Sequence, residues 1–191
     1  MNPFPLVLAS ASPRRLSLLA QIGVIPDRVI ATDIDETPLR DELPRLYARR
    51  MALTKVQSVR CDDAAVLTAD TVVAAGRRIL PKAETESQAR TCLTLLSGRR
   101  HRVMTAVVLR APNGRQTERL SESIVTFSRL TERDIEAYVR LGEWSGKAGG
   151  YAIQGHAAAF IRFLSGSHSN VVGLPLFETA SLLRGLGWSL P

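Results

Sequence analysis

The chain has 191 residues, of which 45% are hydrophobic and 23% charged, with no low-complexity tract or internal repeat. That excludes disordered and fibrous classes and allows one domain with a substantial core, drawn out into two lobes around a cleft if the chain requires it. A net charge of +7 suits a polyanionic partner, either nucleic acid or a polyphosphate, but Lys and Arg are spread without a dense run and aromatic residues make up only 5%, too few for a base-stacking surface. The two cysteines, Cys61 and Cys92, have no metal-ligand spacing, and three histidines lack matching thiols. A zinc site is therefore not expected, and a reduced, cytoplasmic setting is. The start Met-Asn-Pro-Phe-Pro has no basic n-region and no segment reaches membrane-spanning length, which predicts a soluble, unprocessed protein.

In chain order, a short apolar run, Leu6 to Ala9, meets Ser10-Ala11-Ser12-Pro13-Arg14-Arg15 and then an amphipathic run to Ile22. This predicts a strand, an anion-gripping turn and a helix capped by Ser12 with Pro13 in the first position; the alternative is a capped surface helix with two solvated arginines. Val29 to Glu36 reads as a strand entering a carboxylate-bearing loop. Leu43 to Val59 reads as a helix, and steps of about 100° put Lys55 on its apolar face among Ala48, Met51, Ala52 and Val59, as a snorkelling stem or as something more specific.

Val66 to Ala75 predicts a central strand with Asp70 in its middle, where a carboxylate needs a partner, a metal or a task. Regular pleating turns Asp70 and Thr71 to opposite sides, so the strand is expected to bend or stop if both line one site. Glu84 to Leu96 reads as a helix, and Arg102 to Arg110 with Glu118 to Ser128 as a hairpin about Pro112-Asn113-Gly114. Thr131 caps a helix to Leu141. The glycine-rich stretch Gly142 to Gly155 is either a loop closing over a ligand or an irregular linker. A short strand at Phe160 to Leu164, a turn at Ser165 to Asn170 and a helix from Gly173 to Leu186 complete the chain.

The polar residues in unusual places are Ser10, Ser12, Arg14, Arg15, Glu36, Lys55, Asp70 and Lys82. Cations and a helix N-terminus neutralise a polyphosphate, while carboxylates hold a divalent ion and activate water, the requirements of phosphoanhydride hydrolysis. No Walker-type loop is present, and neither Ser10 nor Ser12 sits in a nucleophile elbow. His101, His156 and His168 could act as bases only through distant contacts.

Several ordered motifs give the chain a close resemblance to the Maf proteins, nucleoside triphosphate pyrophosphatases once described as septum-formation inhibitors. They are Leu8 to Arg15, Glu36, Lys55, Ala69-Asp70-Thr71-Val72-Val73, Lys82, Lys147 to Gly155 and Asn170 to Leu176. The resemblance spans nearly the whole chain as a single domain, 1–191. It implies an elongated α/β fold related to the inosine triphosphatase-like enzymes, a twisted mixed sheet flanked by helices with a central cleft between two lobes. It implies hydrolysis of an acid anhydride, water attacking between the α- and β-phosphates with Mg²⁺ or Mn²⁺. Asp70 matches the proton acceptor. Ser10, Ser12, Arg15, Lys55 and Lys82 are assigned to phosphate, and Glu36 with Asp70 to the metal. Pro81-Lys82-Ala83 departs from the family's usual lysine followed by proline.

Three matched positions, Arg14, Thr71 and Gln154, resemble the dTTP/UTP branch, whereas the sister branch acting on 7-methylguanosine triphosphate carries Trp and Glu in place of Arg14 and Gln154. An amide suits the mixed donors and acceptors of uracil and thymine, and a carboxylate suits guanine donors. Losing such a pairing costs about 1 to 3 kcal/mol. The expected function is a pyrophosphatase for dTTP, UTP and modified pyrimidine triphosphates. The alternatives are a basic nucleic-acid-binding or cell-division regulatory protein, and a purine house-cleaning pyrophosphatase. Beyond the nucleotide, no nucleic-acid or membrane partner is expected, and homodimerisation is implied by the resemblance alone.

Overall fold

A strand buried on both faces needs apolar side chains on both, and Leu-Val-Leu-Ala of β1 (Leu6–Ala9) supplies them: all four are fully buried. The computed structural model describes residues 3–190. After β1 come α1 (Pro13–Gln21), β2 (Arg28–Ile30), α2 (Pro44–Ser58), β3 (Ala65–Ala75), the short β4 (Arg78–Leu80) and β5 (Lys82–Ala83), and α3 (Glu86–Leu96). The long hairpin β6 (Arg100–Arg110) and β7 (Gln116–Phe127) follows, then α4 (Glu132–Leu141), β8 (Lys147–Ala148), a 3₁₀ turn (His156–Phe160), β9 (Ile161–Ser165), α5 (His168–Val172) and α6 (Leu176–Gly185).

Six strands lie in the order β2-β1-β3-β6-β7-β9, and β4 also pairs with β3. The first three strands are mutually parallel and the remaining pairings antiparallel, so the sheet is mixed as expected. Alternation along β3 divides the core. Val66 and Val72 face α2 with Ala48, Met51 and Val56, whereas Leu67 and Ala69 face α1 and α6 with Leu19 and Leu183. Val73, Val103 and Phe127 at the other end of the strands pack with α3, α4 and the 144–157 segment. The chain thus has a core on each face of the β1 end and a third beyond it.

Local signals explain most boundaries. Thr131 caps α4 through a reciprocal box with Asp134, and Gly142 ends it in the left-handed region at φ 71°. Thr85 and Gln88 make the same box for α3. Three expectations are corrected. The strand after α1 covers only Arg28–Ile30, since Asp33, Asp35 and Glu36 face solvent or the cleft, and Asp35 accepts from the Thr37 amide in a local turn. The stretch expected as a turn, Ser165 to Asn170, carries the start of a short helix, α5, which ends at Gly173 with φ 132°, and the helix expected from Gly173 begins only at Leu176, with Pro175, which has no N–H to offer a preceding turn, at its N-cap. Ser12 occupies the N-cap position of α1 but its side chain makes no capping hydrogen bond.

Candidate active site

The strand β3 neither bends nor stops at Asp70 and Thr71. Its pairing with β6 runs without a register shift from Val66 opposite Arg110 to Ala74 opposite Arg102. Its other edge is what opens. β1 pairs with it as far as Leu8 opposite Leu67, and β4 begins at Val73 opposite Leu80. Among the described residues, 68–72 therefore have no strand partner on that side. A cleft of about 310 Å³ lies over the gap. From an open edge, side chains on both faces of one strand can reach the same space. All ten sequence-predicted residues, Ser10, Ser12, Arg14, Arg15, Glu36, Lys55, Asp70, Thr71, Lys82 and Gln154, line this cleft.

On the α2 face, Asp70 is buried with 4% exposure and Lys55 with 5%. The Lys55 Nζ donates to Asp70 Oδ1 at 2.5 Å and lies 2.8 Å from Glu36 Oε1. Lys82 Nζ pairs with the other Glu36 oxygen. Lys55 therefore does not snorkel to bulk water; it joins two carboxylates, which satisfies charges that would otherwise be costly to bury. Burial works to raise the Glu36 pKa, but hydrogen bonds and charge from Lys55 and Lys82 outweigh it and bring it down to about 2. The irregular segment bearing Glu36 is tied to α2: Tyr47 donates its hydroxyl proton to the Glu36 carbonyl at 2.7 Å, and Arg50 donates to the Thr37 carbonyl at 3.1 Å. Glu36, Asp70, Thr71 and Lys82 also border a second cavity of about 350 Å³ beside Tyr47 and Glu84, so the cluster is open to solvent from two sides.

On the α1 face stands Arg15. Its Nε donates to the Gly173 carbonyl at 2.8 Å, Nη1 to Ser10 Oγ at 3.0 Å and Nη2 to Thr71 Oγ1 at 3.4 Å. All three acceptors are neutral, and burial lowers the Arg15 pKa although Asp70 and Glu36 pull it the other way. Burial likewise lowers the Arg14 pKa. Among the described residues neither arginine has a carboxylate within ion-pair distance. A half-buried guanidinium without a counter-ion is the signature of a site that receives an anion.

The third wall is the glycine-rich segment, a packed part of the fold rather than a loose linker. β8 pairs with β5, setting Lys82 opposite Ala148. Gly149 lies against Val73, where an added Cβ would stand 2.8 Å from Cγ1, and Gly150 lies against α3. Lys147 enters the cleft on this ribbon; burial first and the Arg14 charge second lower its pKa. No role fell to Lys147 from sequence, though its place amid glycines was a visible signal. Gln154 is exposed on the same wall.

With Lys55 and Lys82 balanced by Glu36 and Asp70, three cations facing the cleft, Arg14, Arg15 and Lys147, remain without acidic partners among the described residues. Among those residues no group of three or more His, Cys, Asp or Glu is placed to hold a metal ion. Two carboxylates on one wall nevertheless fit a hard divalent cation, which is commonly held by one or two carboxylates with substrate phosphates and water.

A family profile described as Maf-like protein matches residues 5–186. The chain belongs to the Maf-like family. Among Maf-like relatives, the dTTP/UTP pyrophosphatase of Granulibacter bethesdensis is 64% identical over 200 residues, covering 96% of this chain and 94% of the relative. The protein of the same name from Zymomonas mobilis is 60% identical over 187 residues, covering 97% and 93%. The Ham1 protein of Staphylococcus aureus superposes with a TM-score of 0.53 at 13% identity, over 95% of this chain and 98% of that one. At such identity the likeness shows the fold alone, and it is the α/β architecture expected of this Maf-like chain.

Proposed function

We propose that this Maf-like protein hydrolyses dTTP and UTP to the nucleoside monophosphate and pyrophosphate. The observation that carries the reading is the cleft's division of charge: Arg14 and Arg15 at the start of α1 and Lys147 on the glycine-rich wall have no acidic partner among the described residues, while Asp70 on the α2 face is buried and ion-paired. The named relatives support the substrate class.

The β- and γ-phosphates lie against Ser10, Ser12 and Arg15 at the start of α1, where the positive end of the helix dipole favours negative charge. Lys55 engages Asp70 Oδ1, and Oδ2 takes the proton of a water that attacks the α-phosphorus. The bond from that phosphorus to the bridging oxygen breaks, pyrophosphate leaves with the electron pair, and the hydroxyl stays on the monophosphate. Arg15 and Lys82 stabilise charge developing on the leaving group. Glu36 and Asp70 would hold a Mg²⁺ or Mn²⁺ ion with phosphate oxygens, and such an ion supplies further neutralisation of the polyphosphate. Gln154 and Arg14 read the pyrimidine and its attached groups from the wall facing α1, with Thr71 between them and the reacting centre.

A cytoplasmic setting fits two buried cysteines that form no disulfide. Among the described residues no helix is long and apolar enough to cross a membrane. The test is a panel of canonical and modified triphosphates incubated with Mg²⁺ or Mn²⁺. Pyrophosphate release led by dTTP and UTP is expected, and orthophosphate release or a purine preference defeats the reading.

A further inference from the structure

We infer that Thr105 and Asn170, which lie behind the cleft, are positioning residues that aim the Arg15 guanidinium at the substrate's phosphates through a one-directional hydrogen-bond chain. The inference rests on the reading of the cleft as a triphosphate site and adds residues with no assigned part in it.

The direction follows from proton counting together with distance: the reverse order would end on the Gly173 carbonyl, 3.4 Å from Thr71, and leave the Asn170 carbonyl, only 3.0 Å from Thr105, without this donor. A hydroxyl has one proton to donate. Thr105 Oγ1 donates its proton to the Asn170 carbonyl at 3.0 Å. In its 2.9 Å contact with Thr71 Oγ1 it must therefore accept, which makes Thr71 the donor. Thr71, its proton directed at Thr105, accepts from Arg15 Nη2. The chain runs from guanidinium to Thr71, Thr105 and the Asn170 carbonyl, each link polarising the next.

Its far end is anchored. Asn170 is fully buried, and its Nδ2 donates to the Val103 carbonyl at 3.0 Å and to Ser123 Oγ at 2.9 Å. Those bonds seat α5 on β6 and β7. The same helix ends at Gly173, whose carbonyl takes Arg15 Nε. Asn170 thus fixes Arg15 twice, through the threonines at Nη2 and through α5 at Nε. Without the Thr105 hydroxyl, Thr71 would turn its proton to the Gly173 carbonyl, 3.4 Å away, in competition with Arg15 Nε. Thr105 is fully buried and lies outside the cleft lining, so its effect on an anion must pass through Thr71 and Arg15.

The experiment compares wild type, Thr105→Val and Thr105→Ser for kcat and KM on dTTP and for pyrophosphate affinity by calorimetry, well below each melting temperature. Thr105→Val is expected to weaken pyrophosphate binding and raise KM by about tenfold, the size of a lost hydrogen bond to a charged group. Thr105→Ser, which keeps the hydroxyl, is expected to stay within about twofold of wild type. Should Thr105→Val fail to fold, Ser123→Ala, which removes one anchor of Asn170, replaces it with an expected loss of about threefold in pyrophosphate affinity. Unchanged pyrophosphate affinity in the folded variant, or a Thr105→Ser defect as large as that of Thr105→Val, overturns the inference. Wild type that binds pyrophosphate with the predicted variant pattern but hydrolyses no nucleotide overturns the proposed function and leaves the positioning chain standing.

Discussion

Asp70→Asn separates the chemical role of the carboxylate from its structural one. The amide has the shape of the carboxylate, and Lys55 keeps Glu36 at 2.8 Å, so no buried charge is orphaned. The stability cost is then that of a weakened hydrogen bond, about 1 to 3 kcal/mol. Lys55→Met, by contrast, leaves Asp70 and Glu36 facing each other, a loss of about 3 to 5 kcal/mol. An amide cannot take a proton from water, so kcat should fall by roughly 10² to 10⁴. At a saturating concentration of Mg²⁺, which offsets the loss of one metal-holding carboxylate, affinity should move the other way, if at all: removing a negative charge from the wall of a polyphosphate site leaves KM for dTTP unchanged or lower. Pyrophosphate release over a range of dTTP concentrations spanning KM, with chemical denaturation of both proteins, measures the three quantities. A variant with kcat within about tenfold of wild type removes Asp70 from the base role, and a steep rise in KM with kcat preserved would make it a binding residue instead.

Lys147→Met should raise KM for dTTP several-fold with little change in kcat, and the difference should shrink as salt rises, because the lost interaction is an ion contact in an open cleft; steady-state kinetics at two ionic strengths would expose a salt-insensitive or absent effect. Gly149→Ala should destabilise by about 2 to 4 kcal/mol, since the residue is left-handed at φ 69° and the new Cβ would press on Val73 at 2.8 Å; an unchanged melting temperature would show that the segment is not packed as described. His101, almost wholly buried with Nε2 2.8 Å from the Tyr151 hydroxyl, has its pKa lowered by burial to about 4. Between that value and the ordinary 6.5 the unfolded chain binds a proton that the folded one does not. Stability therefore drops as pH falls, by about 1.5 kcal/mol from pH 6.5 to 5, and His101→Gln should lose this dependence in urea unfolding.

How much of this was visible in the sequence depends on how local each signal is. The strand, turn and helix at 6–22, the Thr131 cap and the place of Lys55 on the apolar face of α2 rest on periodicity and neighbouring residues, and the structure has them. The partners of Lys55 were not visible, because Glu36 and Asp70 reach it from segments 19 and 15 residues away and only the fold sets their distances. The β5–β8 ribbon is two residues per strand, too short for any alternation to register, and with it went the placement of Lys147. α5 is five residues, too short for a helical period to show, so its stretch reads as a turn, and the start of α6 beyond Gly173 was marked only by Pro175. Ser12 shows the opposite case: a good capping residue whose hydroxyl is not used for the cap, because the Arg15 amide that it would cap donates to the Ser12 carbonyl at 3.1 Å instead.

The open edge of β3 also explains why acid and arginine can share a cleft without cancelling each other. Asp70 and Thr71 are consecutive, so the strand itself stands between the carboxylate on the α2 side and the guanidinium on the α1 side. Had both lain on one face at contact distance, Arg15 would have paired with Asp70, the anion site would have lost its counter-charge deficit, and the carboxylate would have lost the oxygen it needs for a proton. With the strand intervening, Asp70 takes its counter-ion from Lys55 at 2.5 Å, and Arg15 is left with three neutral acceptors. A bend in β3 would have brought the two side chains together. Interrupting the neighbouring strands instead exposes both while keeping them apart, and that is the arrangement a hydrolase of anionic substrates needs.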